Sequence, residues 1–274
     1  MSIEGLPLLL EPDQLEPLLG SEGLLVVDVC KDTTYAQLHI PGAVHLAYAQ
    51  ITASRGMTHG LLPEPAQLEA VLSAQGIDLD THVVAYDDEG GGNACRLLWT
   101  LEAMGHQRFS LLNGGLHAWA NERHPLSQEP AQPKAAEFTA RPDLSTLADA
   151  EFIQQRLDTD ELALWDARGS NEYMGLSRFS QFPGHIPGAA NLDWLEVMDR
   201  ERNLRLKPAD ELREMLAGLG ITPDKEVVTY CQTHHRSSLA YFVLKYLGFE
   251  RIRGYPGSWS DWGNRSGTPK AQGS

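Results

Sequence analysis

The chain states one plan twice. An apolar run closing on aspartate, Leu25-Val26-Val27-Asp28, returns as Ala163-Leu164-Trp165-Asp166, and the pentapeptide HIPGA stands at 39–43 and again at 185–189. Val83-Val84-Ala85-Tyr86 returns as Val227-Val228-Thr229-Tyr230. Gly114-Gly115-Leu116-His117-Ala118-Trp119 lines up with Gly257-Ser258-Trp259-Ser260-Asp261-Trp262. Copies this far apart exceed the roughly 20–50 residues of a solenoid unit, so the repeat is a duplicated globular domain. Between the copies Pro125, Pro130, Pro133 and Pro142 recur among Ala, Gln and Lys, a composition that favours an extended connector. The expected division is a first domain over 1–124, a linker over 125–142 and a second domain over 143–274.

Within each copy, short β-branched runs alternate with helical patterns, which predicts an α/β fold, two similar domains each with a parallel sheet flanked by helices. Leu239, Phe242, Val243, Tyr246 and Leu247 follow the spacing of a buried helix face, matched in the first copy by Ala94, Leu97, Leu98 and Leu101. Gly105 and Gly248 follow these helices as C-caps, where a left-handed residue is cheapest as glycine.

Composition removes several classes of function. A net charge of −15 hardly provides the basic face that nucleic acid or an anionic membrane surface would need, so an anionic ligand would need a local positive pocket. No apolar run approaches the length of a membrane span, and the start lacks the basic flank and cleavage site of a secretory signal, so the cytoplasm is expected. The three cysteines, Cys30, Cys95 and Cys231, form no CxxC pair and no disulfide framework. The run Gly90-Gly91-Gly92 lacks the GxGxxG arrangement of a dinucleotide turn, and no organic cofactor is expected.

Chemistry concentrates at Cys231-Gln232-Thr233-His234-His235-Arg236-Ser237, where an apolar strand runs into a polar loop and then a helix. Open α/β sheets bind ligands at that edge. Successive loop N–H groups can form an anion-binding nest, reinforced by the positive end of the helix. Thiols in such settings have pKa values of about 3.5–7.5, so Cys231 is expected to be ionised at neutral pH. Arg236, with His234 and His235 when protonated, supplies positive charge against the acidic whole. Cys95, inside an apolar helix pattern, and Cys30, at a strand end, read as structural thiols. Two adjacent histidines and one cysteine do not complete a tetrahedral metal site, and no metal is expected.

These segments resemble the tandem-domain rhodaneses, thiosulfate sulfurtransferases of two similar α/β domains, and the resemblance spans essentially the whole chain. It rests on both HIPGA segments, on GSWSDW and on the loop CQTHHR, which looks like that of a bacterial rhodanese subgroup and differs from the CRKGVT and CGSGVT-like loops of vertebrate rhodaneses and mercaptopyruvate sulfurtransferases. The resemblance implies Cys231 as the sulfur-carrying nucleophile, with Gln232, Thr233, His234, His235, Arg236 and Ser237 around the substrate, thiosulfate as donor and 3-mercaptopyruvate as second choice. It also implies that cyanide or a thiol, including thioredoxin or another protein's cysteine, is the acceptor. Aligning Tyr86 with Tyr230 puts Asp87 opposite Cys231, so the first domain is expected to be catalytically silent, with closure of a cleft between domains as its suggested part. Vertebrate members carry a substrate-binding arginine where Glu172 stands, so that role does not transfer. Arg236 or Arg168 could supply the charge instead; Asp166 and Arg168 could equally be a structural ion pair. Trp194 resembles an aromatic pocket-lining position of the bacterial members and also fits an ordinary core tryptophan.

The HIPGA segments read as scaffold, with Pro fixing φ and Gly permitting a sharp turn. His39 and His185 then serve as hydrogen-bonding residues, while Trp119, Trp259 and Trp262 pack a short helix. Two rivals to sulfur transfer remain. Related phosphatases have Cys-x5-Arg, whereas Cys231 and Arg236 enclose four residues, a ring better sized for a sulfur atom. A non-catalytic sulfur-binding module could use the same fold.

Overall fold

In the computed structural model, which describes residues 3–157 and 159–273, the repeated apolar runs become the central strands of two parallel sheets. Leu24–Asp28 pairs with His82–Tyr86, and Leu162–Asp166 with Glu226–Tyr230. The register repeats as well: Asp28 lies opposite Tyr86, and Asp166 opposite Tyr230. Parallel strands covered on both faces have no solvated side to alternate toward, which is why the runs are continuously apolar. Val27, Val83, Val84, Val227 and Val228 are all wholly buried. The first sheet runs in the order Leu9–Leu10, Phe109–Leu112, His82–Tyr86, Leu24–Asp28, Val44–His45; the second runs Ile252–Gly254, Glu226–Tyr230, Leu162–Asp166, Ala190–Asn191. Helices Gly92–Ala103 and Arg236–Tyr246 follow the corresponding strands.

HIPGA fixes how each sheet edge is tied down. Ile40-Pro41-Gly42-Ala43 closes a turn with the Ala43 N–H on the Ile40 carbonyl at 3.0 Å, and the second copy repeats it from Ala189 to Ile186 at 3.0 Å. The glycines sit at φ 77° and 78°, the left-handed position such a turn requires after proline. The Ile40 N–H donates to the Tyr86 hydroxyl at 3.1 Å and the Ile186 N–H to the Tyr230 hydroxyl at 3.2 Å. His39 and His185 each hold the carbonyl of an upstream tyrosine, Tyr35 four residues back and Tyr173 twelve residues back, at 2.7 Å, with their rings stacked on those tyrosines. Trp119 and Trp262 complete the matched set, donating to the carbonyls of Pro125 and Pro269 from within the cores.

The chain forms two compact units that do not follow a single cut. One comprises the chain up to Ile51 with Pro63–Asp143 and Met198–Leu206; the other comprises Thr52–Leu62, Leu144–Val197 and everything from Lys207. Each half of the sequence therefore lends a small hairpin to the unit built mainly from the other. Within the first unit, Arg205 of the lent hairpin is ion-paired to Glu11 and Glu122, and the Leu206 N–H donates to the Asn113 side chain at 2.9 Å. The proline-rich stretch is extended and bonded into that unit: Phe138 is buried, and the Ala136 and Arg141 N–H groups donate to Ser73 and Met104. Among the described residues no helix is long and apolar enough to cross a membrane.

Candidate active site

Cys231 follows the last residue of strand Glu226–Tyr230 and is 1% exposed. Its loop turns back sharply into helix Arg236–Tyr246, a reversal that places His234 at φ 54°, a conformation that costs a non-glycine residue free energy and calls for external support. Ser258 gives part of that support. Its Oγ accepts the N–H of Cys231 at 3.2 Å and of His234 at 3.1 Å, and donates to the Tyr255 carbonyl at 2.8 Å. The Trp259 and Ser260 N–H groups take the carbonyls of Cys231 and Gln232 at 2.9 and 3.0 Å. The GSWSDW segment, read from sequence as packing, is thus also the loop's hydrogen-bonding frame. No periodicity or spacing in the sequence marks Ser258 for this role.

Burial pushes the Cys231 thiol up, but the Arg236 guanidinium, the Ser237 hydroxyl and the N–H groups of Ser237 and Thr233 more than offset it, leaving the thiol below its ordinary range. Cys30 and Cys95 sit at the opposite extreme: burial drives both thiols up, and nearby Asp28 and Asp87, respectively, push the same way. Cys231 alone is held ready to ionise. The Ser237 hydroxyl also meets His234 Nδ1 at 2.7 Å. With the hydroxyl hydrogen on the sulfur, the oxygen accepts from Nδ1–H, so the fully buried His234 aims Ser237 at the thiolate.

The remaining expected residues divide. Gln232 reaches the Ser180 hydroxyl at 3.3 Å, and half-buried Thr233 turns its N–H to the sulfur. His235 sits edge-on to Trp194 with ring centroids 5.5 Å apart, which puts that tryptophan on the rim of the loop. Arg236 is clamped by Glu172 through two bonds, 2.6 and 3.0 Å, with both side chains partly open to solvent. From sequence Glu172 registered only as a missing arginine; as the partner of Arg236 it went unseen, because the pairing joins distant segments. Arg168 corrects the expectation of a substrate ligand. It is 1% exposed, paired with the Asp166 carboxylate, bonded to the Gly184 carbonyl and stacked over Trp259. A guanidinium so committed holds the strand end and the 180s loop together.

A further wall comes from the hairpin Ala53–Arg55 and Thr58–Leu61, which belongs to this unit. The His59 N–H donates to Ser260 Oγ at 2.9 Å, and the same hydroxyl donates to the His59 carbonyl at 3.0 Å. Gly60 beside it lies so close to the loop that a Cβ there would stand 2.0 Å from the Thr233 carbonyl oxygen.

The matching loop of the first unit is built alike but filled. Asp87 Oδ1 accepts N–H bonds from Glu89, Gly90 and Gly91 at 3.1, 3.1 and 2.8 Å, and Oδ2 accepts one from Ala94 at 2.9 Å. The carboxylate occupies the cradle that the thiol of Cys231 occupies in the other unit.

Comparison with known proteins agrees with the duplication. A family model described as a rhodanese-like domain matches residues 11–122 and again 149–265. A thiosulfate sulfurtransferase of Pseudomonas aeruginosa is 43% identical over 96% of this chain and 97% of its own, and one of Azotobacter vinelandii is 42% identical over the same shares. A sulfur carrier protein of Thermus thermophilus, TtuD, is 33% identical over 97% of this chain and 96% of its own. Among solved structures, the anaerobic ergothioneine biosynthesis enzyme from Chlorobium limicola superposes with a TM-score of 0.83 at 22% identity over 92% of this chain; the chain spans 65% of that protein's length, and the likeness is one of fold. Two matched domains, the repeated register and relatives alike over their full length together make the chain a member of the rhodanese-like family.

Proposed function

We propose that the chain is a thiosulfate sulfurtransferase working by a ping-pong mechanism on Cys231. The Cys231 thiolate attacks the outer sulfur of thiosulfate; the sulfur–sulfur bond of the donor breaks, and sulfite leaves with the bonding pair. A persulfide anion remains on Cys231 in the cradle that held the thiolate. Cyanide or a thiolate then attacks the terminal sulfur, and the Cys231 thiolate leaves. Splitting the transfer lets one cradle serve two easier displacements. The N–H groups of Thr233 and Ser237 and the Ser237 hydroxyl stabilise negative charge on sulfur in every state, as fixed dipoles that need no reorganisation.

The observation that carries this reading is the depressed thiol of a buried cysteine whose cation and hydrogen-bond donors surround the sulfur. The names of the Pseudomonas and Azotobacter relatives support thiosulfate as donor. Asp87 fills the corresponding cradle, so we assign no sulfur site to the first repeat; the proposed division keeps 1–124 as silent, 125–142 as connector and 143–274 as catalytic, with two exceptions, the 52–62 hairpin that belongs to the catalytic unit and the 198–206 hairpin that belongs to the first. Three buried free thiols suit a reducing compartment, and we place the activity in the cytoplasm. The acceptor is cyanide or a thiol, whether small or on thioredoxin or another protein.

Intact mass after incubation with thiosulfate should rise by one sulfur in the wild type, fall back on cyanide with release of thiocyanate, and stay unchanged in Cys231→Ser. Sulfur gain in that variant refutes the assignment. Loading from 3-mercaptopyruvate but not thiosulfate replaces the donor. A second reading, a carrier that hands its persulfide to a protein cysteine, is favoured by the Thermus relative's name and by the deep burial of Cys231. Efficient loading with negligible turnover on small acceptors would support it.

A further inference from the structure

Arg236, the cation that lowers the thiol of the proposed nucleophile, is not free to act as a full positive charge. Arg236 lies on the first turn of the helix that follows the loop, and its two terminal nitrogens are both taken by Glu172, at 2.6 and 3.0 Å. Glu172 comes from the short helix Ser170–Tyr173 just beyond the strand that carries Asp166. The side chains are 21% and 15% exposed, so the pair stands at the boundary between the buried sulfur and solvent. Such two-pronged pairs fix orientation as well as charge.

We propose that Glu172 is a specificity-determining residue: by holding and half-neutralising Arg236, it tunes the active-site field toward the charge of one sulfur and against a second full negative charge on the donor. This deepens the assignment of sulfur transfer to Cys231 and rests on it. A persulfide anion and a dianionic donor make different demands on one guanidinium. A free arginine would bind the dianion tightly and hold the departing dianionic sulfite as firmly, whereas a clamped one leaves enough attraction to ionise Cys231 and weaker retention of anions. The other charged groups facing this point are Asp166, Arg168 and Cys231 itself, with His234 and His235 in the loop. Asp166 and Arg168 cancel each other as a buried pair. The Glu172–Arg236 pair therefore governs the net charge at the mouth, and donors with one negative charge, such as an alkyl thiosulfonate, are expected to lose less by its presence than thiosulfate does.

The test is Glu172→Gln, with Glu172→Asp as the charge-preserving variant and Glu172→Thr as a second neutral one. Removing one charge at this range should lower KM for thiosulfate by about five- to tenfold relative to methanethiosulfonate, and slow product release enough that kcat falls with it. Glu172→Asp should keep the wild-type ratio. Independently of any sulfur donor, the pH profile of Cys231 alkylation by iodoacetamide should move to lower pH in both neutral variants. An unchanged donor ratio with unchanged alkylation overturns the proposal. So does alkylation moving to higher pH, which would make Glu172 an anchor that keeps Arg236 near the sulfur. If alkylation moves down as expected while neither donor loads the wild type, the electrostatic role stands and the sulfur-transfer reading fails.

Discussion

A single methyl group at Gly60 should disarm a thiol it does not touch. Gly60 adopts φ +80°, and an added Cβ would lie 2.0 Å from the Thr233 carbonyl oxygen and 2.6 Å from its carbon, where ordinary contact begins near 3.4 Å. Relief needs a displacement of about 1.4 Å, and backbone lies on both sides. The hairpin cannot retreat without stretching the two His59–Ser260 bonds at 2.9 and 3.0 Å, so the loop must give, and Thr233 supplies one of the N–H groups that hold the Cys231 thiolate. Losing one hydrogen bond to a charged group forfeits about 1.5–3 kcal/mol, which at about 1.4 kcal/mol per unit raises the Cys231 pKa by roughly one to two units.

The assay is the pH dependence of iodoacetamide alkylation in Gly60→Ala, read against Gly56→Ala. Gly56 is in the same hairpin at φ +60°, but an added Cβ there meets nothing within 4 Å. Both variants pay about 1–2 kcal/mol for a left-handed alanine, visible as lower thermal stability. Only Gly60→Ala should shift the alkylation profile upward. Equal profiles in the two variants would refute the idea that the hairpin positions the loop; equal upward shifts would mean that general loosening, and not contact with Thr233, sets the thiol.

Ser258→Ala leaves the N–H groups of Cys231 and His234 without their acceptor in a buried loop, and denaturant titration should show a loss of about 2–4 kcal/mol together with slower sulfur loading. Arg236→Ala should raise KM for thiosulfate and the Cys231 alkylation pKa with little change in melting temperature; steady-state kinetics and alkylation unaffected by the change would remove Arg236 from the site. Asp87→Asn keeps one oxygen for three N–H groups but turns a donor toward the Ala94 N–H, so it should cost about 1–3 kcal/mol in chemical denaturation while leaving loading of Cys231 intact. Burial, with Arg108 and His106 nearby, pushes His82 down from 6.5 to about 4. The unfolded chain then takes up a proton at this site from pH 6.5 downward and the folded one only near 4, so up to about 3 kcal/mol of stability is lost across that window as pH falls, a slope that His82→Gln should flatten in urea melts at stepped pH.

What the sequence disclosed and what it withheld follow from the range of the interactions involved. Strand ends, the HIPGA turns and the helix after Cys231 are local, and repetition doubled their signal: Tyr86 and Tyr230 receive the same N–H from the same turn because both turns carry the same letters. The proposed nucleophile is legible because an anion cradle is a contiguous segment, 231–237. Its supports come from elsewhere in the chain, and their residue types carry no chemical flag: Ser258 looks like helix packing, Gly60 like an ordinary turn glycine, and Glu172 like an absence. Arg168 left two readings open for the converse reason. Its charge suggested a ligand, yet an arginine two residues from Asp166 at a buried strand end has its partner fixed by the strand's own geometry. The same contrast underlies our proposal of a reactive sulfur in one repeat and none in the other. Both loops supply inward N–H groups at a sheet edge, and each is filled by the residue that directly follows its strand. A carboxylate at 87 satisfies those donors permanently, whereas a thiolate at 231 satisfies them while keeping a lone pair for attack. One side chain at one position separates scaffold from chemistry, and replacing Asp87 by cysteine would not suffice to convert the first loop, because Asp88 and Glu89 stand where Gln232 and Thr233 do and the segment from 87 to 93 contains no cation to match Arg236.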